Sequence, residues 1–182
     1  AYFALGSPGF AQKDGIAVAA NIMNTLWGGR FTSWLSTELR IKRGLTYGAS
    51  SSFQSWKNGG LFMASSYTRN EKIGEMLDIT FELLKKARSQ GFTAEEIESA
   101  KNYIIGQFPE TLETNGSKAS AYLRLVFYEL GFDYFDHYLA DIQGTRLEEV
   151  KKAAQKLLPE KNYTLVIVGK ASDIKKQLQK FG

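Results

Sequence analysis

Arg40 and Tyr47 stand seven residues apart in the stretch LWGGRFTSWLSTELRIKRGLTY, which runs from Leu26 to Tyr47. A guanidinium and a phenol are both hydrogen-bond donors, and two such donors converging on one point suit a polarised carbonyl oxygen. The pattern around them predicts a helix with Arg40 near its end, then a strand that Tyr47 opens. Two elements meeting at one corner would carry the donors to a shared position. Spacing alone also fits a plainer arrangement, a helix-end Arg favoured by the macrodipole and a strand Tyr that packs its ring.

Other chemistries find less support. The chain has no HxxEH, one histidine (His137) and no cysteine, so disulfides and thiolate zinc sites are impossible. His137 and Asp141 lie one helical turn apart, with Asp133 and Asp136 nearby. A zinc site needs three or four convergent ligands, so these residues are expected to form an acidic surface helix. Glu95, Glu96 and Glu98 open a helix, where the dipole favours them. Serines are frequent between Ser33 and Ser66, but no GxSxG elbow and no GxxxxGK[ST] phosphate loop is present. The sequons at Asn115 and Asn162 are short enough to arise by chance.

A chain of 182 residues with 43% hydrophobic and 23% charged residues has the material for one domain with a real core. No apolar run approaches the ~20 residues of a membrane-spanning helix. The net charge of +4 is mild. The C-terminal lysines, from Lys151 to Lys180, are spaced as solvated helix faces and do not form a compact run with stacked aromatics, which argues against nucleic-acid binding. Lack of cysteine leaves the compartment open, with a bacterial periplasm or cytoplasm favoured over an organelle. The chain opens Ala-Tyr-Phe-Ala-Leu without an initiator Met, as expected of a fragment of a longer protein.

The elements that must position the candidate pair follow from periodicity and punctuation. Tyr2–Gly6 reads as a strand closed by Ser-Pro-Gly. Asp14 to Trp27 has a helical stripe through Ile16, Ala20 and Met23, stopped by Gly28-Gly29, with a flexible loop as the alternative at that break. Phe31–Lys42 forms a second helix with Leu35 and Leu39 inward. Tyr47–Trp56 and Leu61–Thr68 form a hairpin around Asn58-Gly59-Gly60, whose glycines permit positive φ. Asn70 is placed to cap a long helix that Gly91 ends. Thr93 and Glu96 form a capping box for the next helix, and Pro109 closes it. Ser117–Leu130 and Tyr134–Ile142 are helical. Thr145 and Glu148 form a second box before Leu147–Leu158. NYTLVIVG is expected in the sheet interior because of its β-branched run, and an amphipathic helix ends the chain. Strands without repeated βα units favour an α+β fold, with an antiparallel or mixed sheet and helices packed on one face.

The residues WGGRFTSWL, ELRIKRGLTYG, EEIESAKNYIIGQF and NYTLVIVG occur in an order that resembles the M16 zinc metallopeptidases, the insulinase, pitrilysin and mitochondrial processing peptidase family. The likeness covers nearly the whole chain, so residues 1–182 look like one domain, the second half of an M16 unit. The chain departs from the family pattern at Trp27, Arg30 and Trp34. The resemblance implies a substrate-binding, non-zinc portion that assists peptide hydrolysis from one side of a paired-domain chamber. Arg40 and Tyr47 match the family's substrate and transition-state binding positions. Zinc would be held by a homologous partner domain or subunit, and this chain alone would be inactive. The Ser-rich strand could then accept peptide as an added strand. Two alternatives stay open: a structural M16-like subunit, or the back half of the zinc-bearing domain itself.

Overall fold

Alternation of side chains builds the sheet. In the computed structural model, which describes residues 1–181, strand β1 (Tyr2–Pro8) buries Phe3, Leu5 and Ser7 and turns the intervening residues to the other face. β2 (Ala49–Trp56) and β3 (Gly59–Tyr67) form the expected hairpin, and β4 (Thr164–Val168) completes a four-stranded sheet. The order is β2-β3-β1-β4 with every neighbouring pair antiparallel. One face, through Phe3, Leu5, Phe62 and Ala64, is sealed by helices, which gives the α+β arrangement read from the sequence.

Two sheet details differ from expectation. β4 lies at an edge, paired only with β1, and Val166 and Val168 are 51% and 63% exposed. Its β-branched run is not doubly covered, because only Leu165 and Ile167 turn toward the helices. The hairpin is closed by the pair Trp56↔Gly59, so the turn is Lys57-Asn58, and no residue from 57 to 60 has positive φ. Gly60 is needed for space instead. A Cβ there would sit 2.3 Å from the Phe10 carbonyl oxygen and 2.7 Å from that of Gln54.

Helix α1 (Ala17–Asn24) runs into a π-helical turn, Thr25–Gly29, with Trp27 fully buried. The Gly-Gly break is a packed contact rather than a flexible loop. A Cβ on Gly28 would meet Ser51 Oγ at 2.3 Å, and one on Gly29 would meet Asn24 Nδ2 at 2.7 Å. The freed space holds a reciprocal clasp: Ser51 Oγ donates to Asn24 Oδ1 (2.7 Å), and Asn24 Nδ2 donates to the Ser51 carbonyl (3.2 Å). The missing Cβ atoms thus let the end of α1 lie directly on β2.

α2 (Trp34–Ser36) is capped by the Ser33 side chain and continues as a second π-helical segment, Thr37–Lys42. α3 (Ile73–Ser89) follows a short 3₁₀ turn and stops at Gly91, whose φ is +73°. Asn70 does not cap α3 with its side chain; its carbonyl accepts from Gln177 Nε2 at 2.9 Å. α4 (Ala94–Gln107) has the Thr93–Glu96 capping box in full, and the other Glu96 oxygen accepts from Trp34 Nε1 at 2.7 Å. α5 (Asn115–Tyr128) and α6 (Tyr134–Gly144) pack over the open end of α1 and β2. α7 (Leu147–Leu157) is capped one residue later than expected. Glu149 accepts from the Arg146 N–H at 2.7 Å, while the Thr145 hydroxyl donates to the Asp141 carbonyl. α8 (Ala171–Leu178) closes on α3.

Candidate functional site

The α2 segment is anchored by Leu35 and Leu39, both fully buried. Arg40 follows directly and is therefore held at the rim, half-buried. Its guanidinium lies over the Phe31 ring, 4.4 Å from the centroid. Gly44, at φ +59°, ends the helical segment: its N–H bonds the Arg40 carbonyl (3.1 Å), and the Leu45 N–H bonds that of Leu39 (2.8 Å). A left-handed residue just past a helix, closing back on its last carbonyls, fixes where the chain leaves.

The chain then pinches. Thr46 Oγ1 accepts from the Gly48 N–H (3.1 Å) and donates to the Gly48 carbonyl (2.9 Å), and Ser66 Oγ donates to the same carbonyl at 2.8 Å. Tyr47 sits at the apex of this loop and is 82% exposed. The sequence pattern puts Tyr47 in the strand, whereas β2 starts two residues later at Ala49 because the Thr46 side chain bonds backbone that a ladder would otherwise use. The backbone under Tyr47 is tied down while its phenol is open to solvent.

The acid two residues before Arg40 is paired elsewhere. Glu38, on the same turn, accepts from Lys42 at 2.6 Å and also binds Arg43. The Lys42 hydrogen bond, aided by Arg43, holds the Glu38 carboxyl below its ordinary pKa. Among the described residues Arg40 has no carboxylate partner. Phe31 is the member of this site that the sequence did not flag. It precedes Arg40 by nine residues, off any helical repeat, so only the folded arrangement brings its ring beneath the guanidinium.

The remaining candidates stay apart from this corner. His137 reaches Asp133 at 3.5 Å, both well exposed, and no group of three His, Cys, Asp or Glu residues among those described could hold a metal ion. The donor set of this chain therefore does not fit a zinc centre of three or four convergent ligands. Glu98 pairs with Lys101 at 2.7 Å. In the Ser-rich strand, Ser51 is buried in its clasp, and the Ser55 carbonyl accepts from Tyr128 Oη at 3.5 Å. Neither Arg40 nor Tyr47 lines the three well-formed cavities among the described residues. No helix among the described residues is long and apolar enough to cross a membrane.

The fold defines a class of protein that comparison makes specific. The profile of the peptidase M16 inactive domain matches residues 1–104. An uncharacterized zinc protease of Streptomyces coelicolor is 32% identical over 117 residues, which is 64% of this chain and 26% of that protein. An uncharacterized zinc protease of Bacillus subtilis is 23% identical over 153 residues, 84% of this chain and 37% of its own length. The crystal structure of a peptidase M16 inactive domain from Pseudomonas fluorescens superposes with a TM-score of 0.83 at 27% identity, covering 90% of this chain and 39% of that one. A chain of Complex III2 from Candida albicans shares the fold at a TM-score of 0.80 and 11% identity, covering 97% of this chain and 45% of its own. The chain belongs to the peptidase M16 inactive-domain family, and it spans about a quarter to two fifths of the length of these relatives.

Proposed function

We propose that this domain is the substrate-binding, non-zinc side of an M16-type peptidase, with Arg40 and Tyr47 as its two working side chains. The observation that carries this reading is the Arg40 guanidinium, which has no carboxylate partner among the described residues, followed by an exposed Tyr47 on a pinned loop. Arg40 would hold a substrate carbonyl through its planar fork. Tyr47 would donate its phenolic proton in a hydrogen bond to the oxygen that gains charge as the peptide bond is attacked. The metal would be bound outside this chain, by a homologous domain or subunit, consistent with relatives much longer than 182 residues. The same absence of metal ligands makes the isolated domain proteolytically silent in this reading.

The rival reading, a structural M16-like subunit, draws on the fold shared with Complex III2. A structural role gives no reason to keep both a cation without a carboxylate partner and, seven residues on, an exposed phenol, which weighs for the first reading. The test is steady-state kinetics of the complete protein carrying Arg40→Ala or Tyr47→Phe. Loss of one transition-state donor is expected to lower kcat by about 100–1,000-fold with an unchanged melting temperature. Wild-type turnover in both variants would hand the pair to the structural reading.

A further inference from the structure

A cleft of about 730 Å³ opens between β2, α1 and the α5–α6 pair. It is of ordinary size for a ligand site, and such sites combine apolar walls with a few convergent polar groups. Phe53, Phe108, Phe135 and Tyr138 supply the aromatic wall, with Phe108 5.4 Å from Tyr138 and 6.1 Å from Phe135. Hydroxyl and amide groups, including Ser117, Ser120 and Gln12, face the same space.

Charge in the cleft is one-sided. Arg124 is the only charged residue among those lining it, and no Asp or Glu is present, although the chain has 19 acidic residues. Arg124 makes no ion pair among the described residues. Two phenols add donors. Tyr138 Oη already accepts from Asn21 Nδ2 at 2.9 Å, which leaves its own proton to give. Burial pushes the pKa of both Tyr134 and Tyr138 up, so both stay protonated. The Arg124 end of the cleft, lined by no acid, is complementary to a carboxylate, while Asp141 acts on the Tyr134 phenol from the adjoining cavity.

The occupant can be narrowed further. An added β-strand is disfavoured along this edge, because the Ser51 and Ser55 carbonyls already accept from Asn24 and Tyr128. An acyl chain would leave the hydroxyl and amide groups unpaired when it displaced their water. A peptide C-terminus answers both parts, since its last residue presents a carboxylate and an apolar side chain from one carbon. We infer that this cleft binds the free C-terminus of a peptide ending in an aromatic residue, with the carboxylate on Arg124 and the ring against Phe108, Phe135 and Tyr138. This site is separate from the Arg40–Tyr47 corner and does not depend on the role assigned there.

The experiment is an NMR titration of the chain with acetyl-Ala-Ala-Phe as the free acid, the same peptide as its C-terminal amide, and decanoate. The free acid is expected to shift resonances of cleft residues and to bind about tenfold or more tightly than the amide, the scale of one charge-assisted contact. Arg124→Gln is expected to remove the acid–amide difference at an unchanged melting temperature, and Tyr138→Phe to weaken the acid alone. Equal binding of acid and amide, decanoate binding without peptide binding, no binding at millimolar peptide, or shifts confined to residues outside the cleft would each overturn the inference. Proteolysis is not read out, so the result stands apart from the fate of Arg40 and Tyr47.

Discussion

The guanidinium of Arg40 rests 4.4 Å from the centre of the Phe31 ring, while Glu38 on the same helical segment is bound by Lys42 and Arg43. The ring is a shelf: it limits where the cation can go without neutralising it, as a carboxylate would. A cation over an aromatic face at an exposed position is worth about 0.5–1 kcal/mol. Phe31→Leu in the complete enzyme is therefore expected to lower kcat by roughly two- to fivefold, with Phe31→Tyr restoring it. The comparison with Arg40→Ala separates the possible failures. A large Arg40 effect with no Phe31 effect removes the shelf, while no effect of either removes the site.

The clasp between α1 and β2 makes a second expectation. Gly28→Ala would place a Cβ 2.3 Å from Ser51 Oγ and 2.9 Å from the Ser51 backbone nitrogen, where backbone cannot yield cheaply. Overpacking of this kind costs about 1–3 kcal/mol. Urea unfolding of the isolated chain should show a lower midpoint with an unchanged slope. Gly15→Ala, where nothing lies within 4 Å of the added Cβ, serves as the control. Equal midpoints for the two variants would mean that α1 can lift from β2 at no cost.

How much of this was legible in the sequence depended on how local the physics was. The Thr93–Glu96 box and the stop at Gly91 rest on contacts within a few residues and stand where the pattern puts them, while the β2–β3 hairpin forms as expected but turns at Lys57-Asn58, ahead of the two glycines. Arg40 and Tyr47 were singled out on spacing and family resemblance, and the exposure of Tyr47 was not legible, because it follows from the Thr46–Gly48 pinch. The edge position of β4 was hidden because β1, from the other end of the chain, takes the interior place beside β3. The cleft was out of reach altogether. Asn21 and Tyr138 meet across 117 residues, and nothing in either neighbourhood signals the other.

Zinc gives the third expectation. With no cysteine, one exposed histidine and no convergent acidic group among the described residues, the chain lacks the ligands for a tight site. Metal analysis after dialysis should find well under one zinc per chain, and chelator should leave the melting temperature unchanged, since structural zinc otherwise contributes folding free energy. A stoichiometric, chelator-sensitive metal would show that ligands assemble from positions the fold holds apart.

The last expectation concerns the C-terminal end of α5, which packs lightly and is tied down by charge. Of its residues only Leu125 is buried, whereas Tyr122, Leu123, Val126 and Phe127 are exposed. Glu129, just beyond, has φ +54° and bridges Lys13 and Lys57 at 2.7 Å each. These two lysines hold the Glu129 carboxyl down to about 2 from its ordinary 4.5, first through the Lys13 hydrogen bond and then that of Lys57. A carboxyl depressed in the folded state contributes stability that is fully present above its unfolded pKa. That contribution falls as pH drops below about 4.5 and is lost once the folded carboxyl protonates near 2. Exposed ion pairs contribute little to stability, so the bridge should steady the end of α5 slightly at neutral pH and lose that contribution in acid. The check is a carboxyl-detected NMR titration with Glu129→Gln as reference. Glu129 should titrate well below 4.5, with amide protection at the C-terminal end of α5 slightly weakened over the same range. The variant should show slightly weaker protection at the end of α5 already at pH 7, while the β1–β3 core stays as protected as before. Titration of Glu129 near 4.5 would mean that the two lysines do not hold it in solution and that Leu125 and Tyr128 alone keep α5 in place.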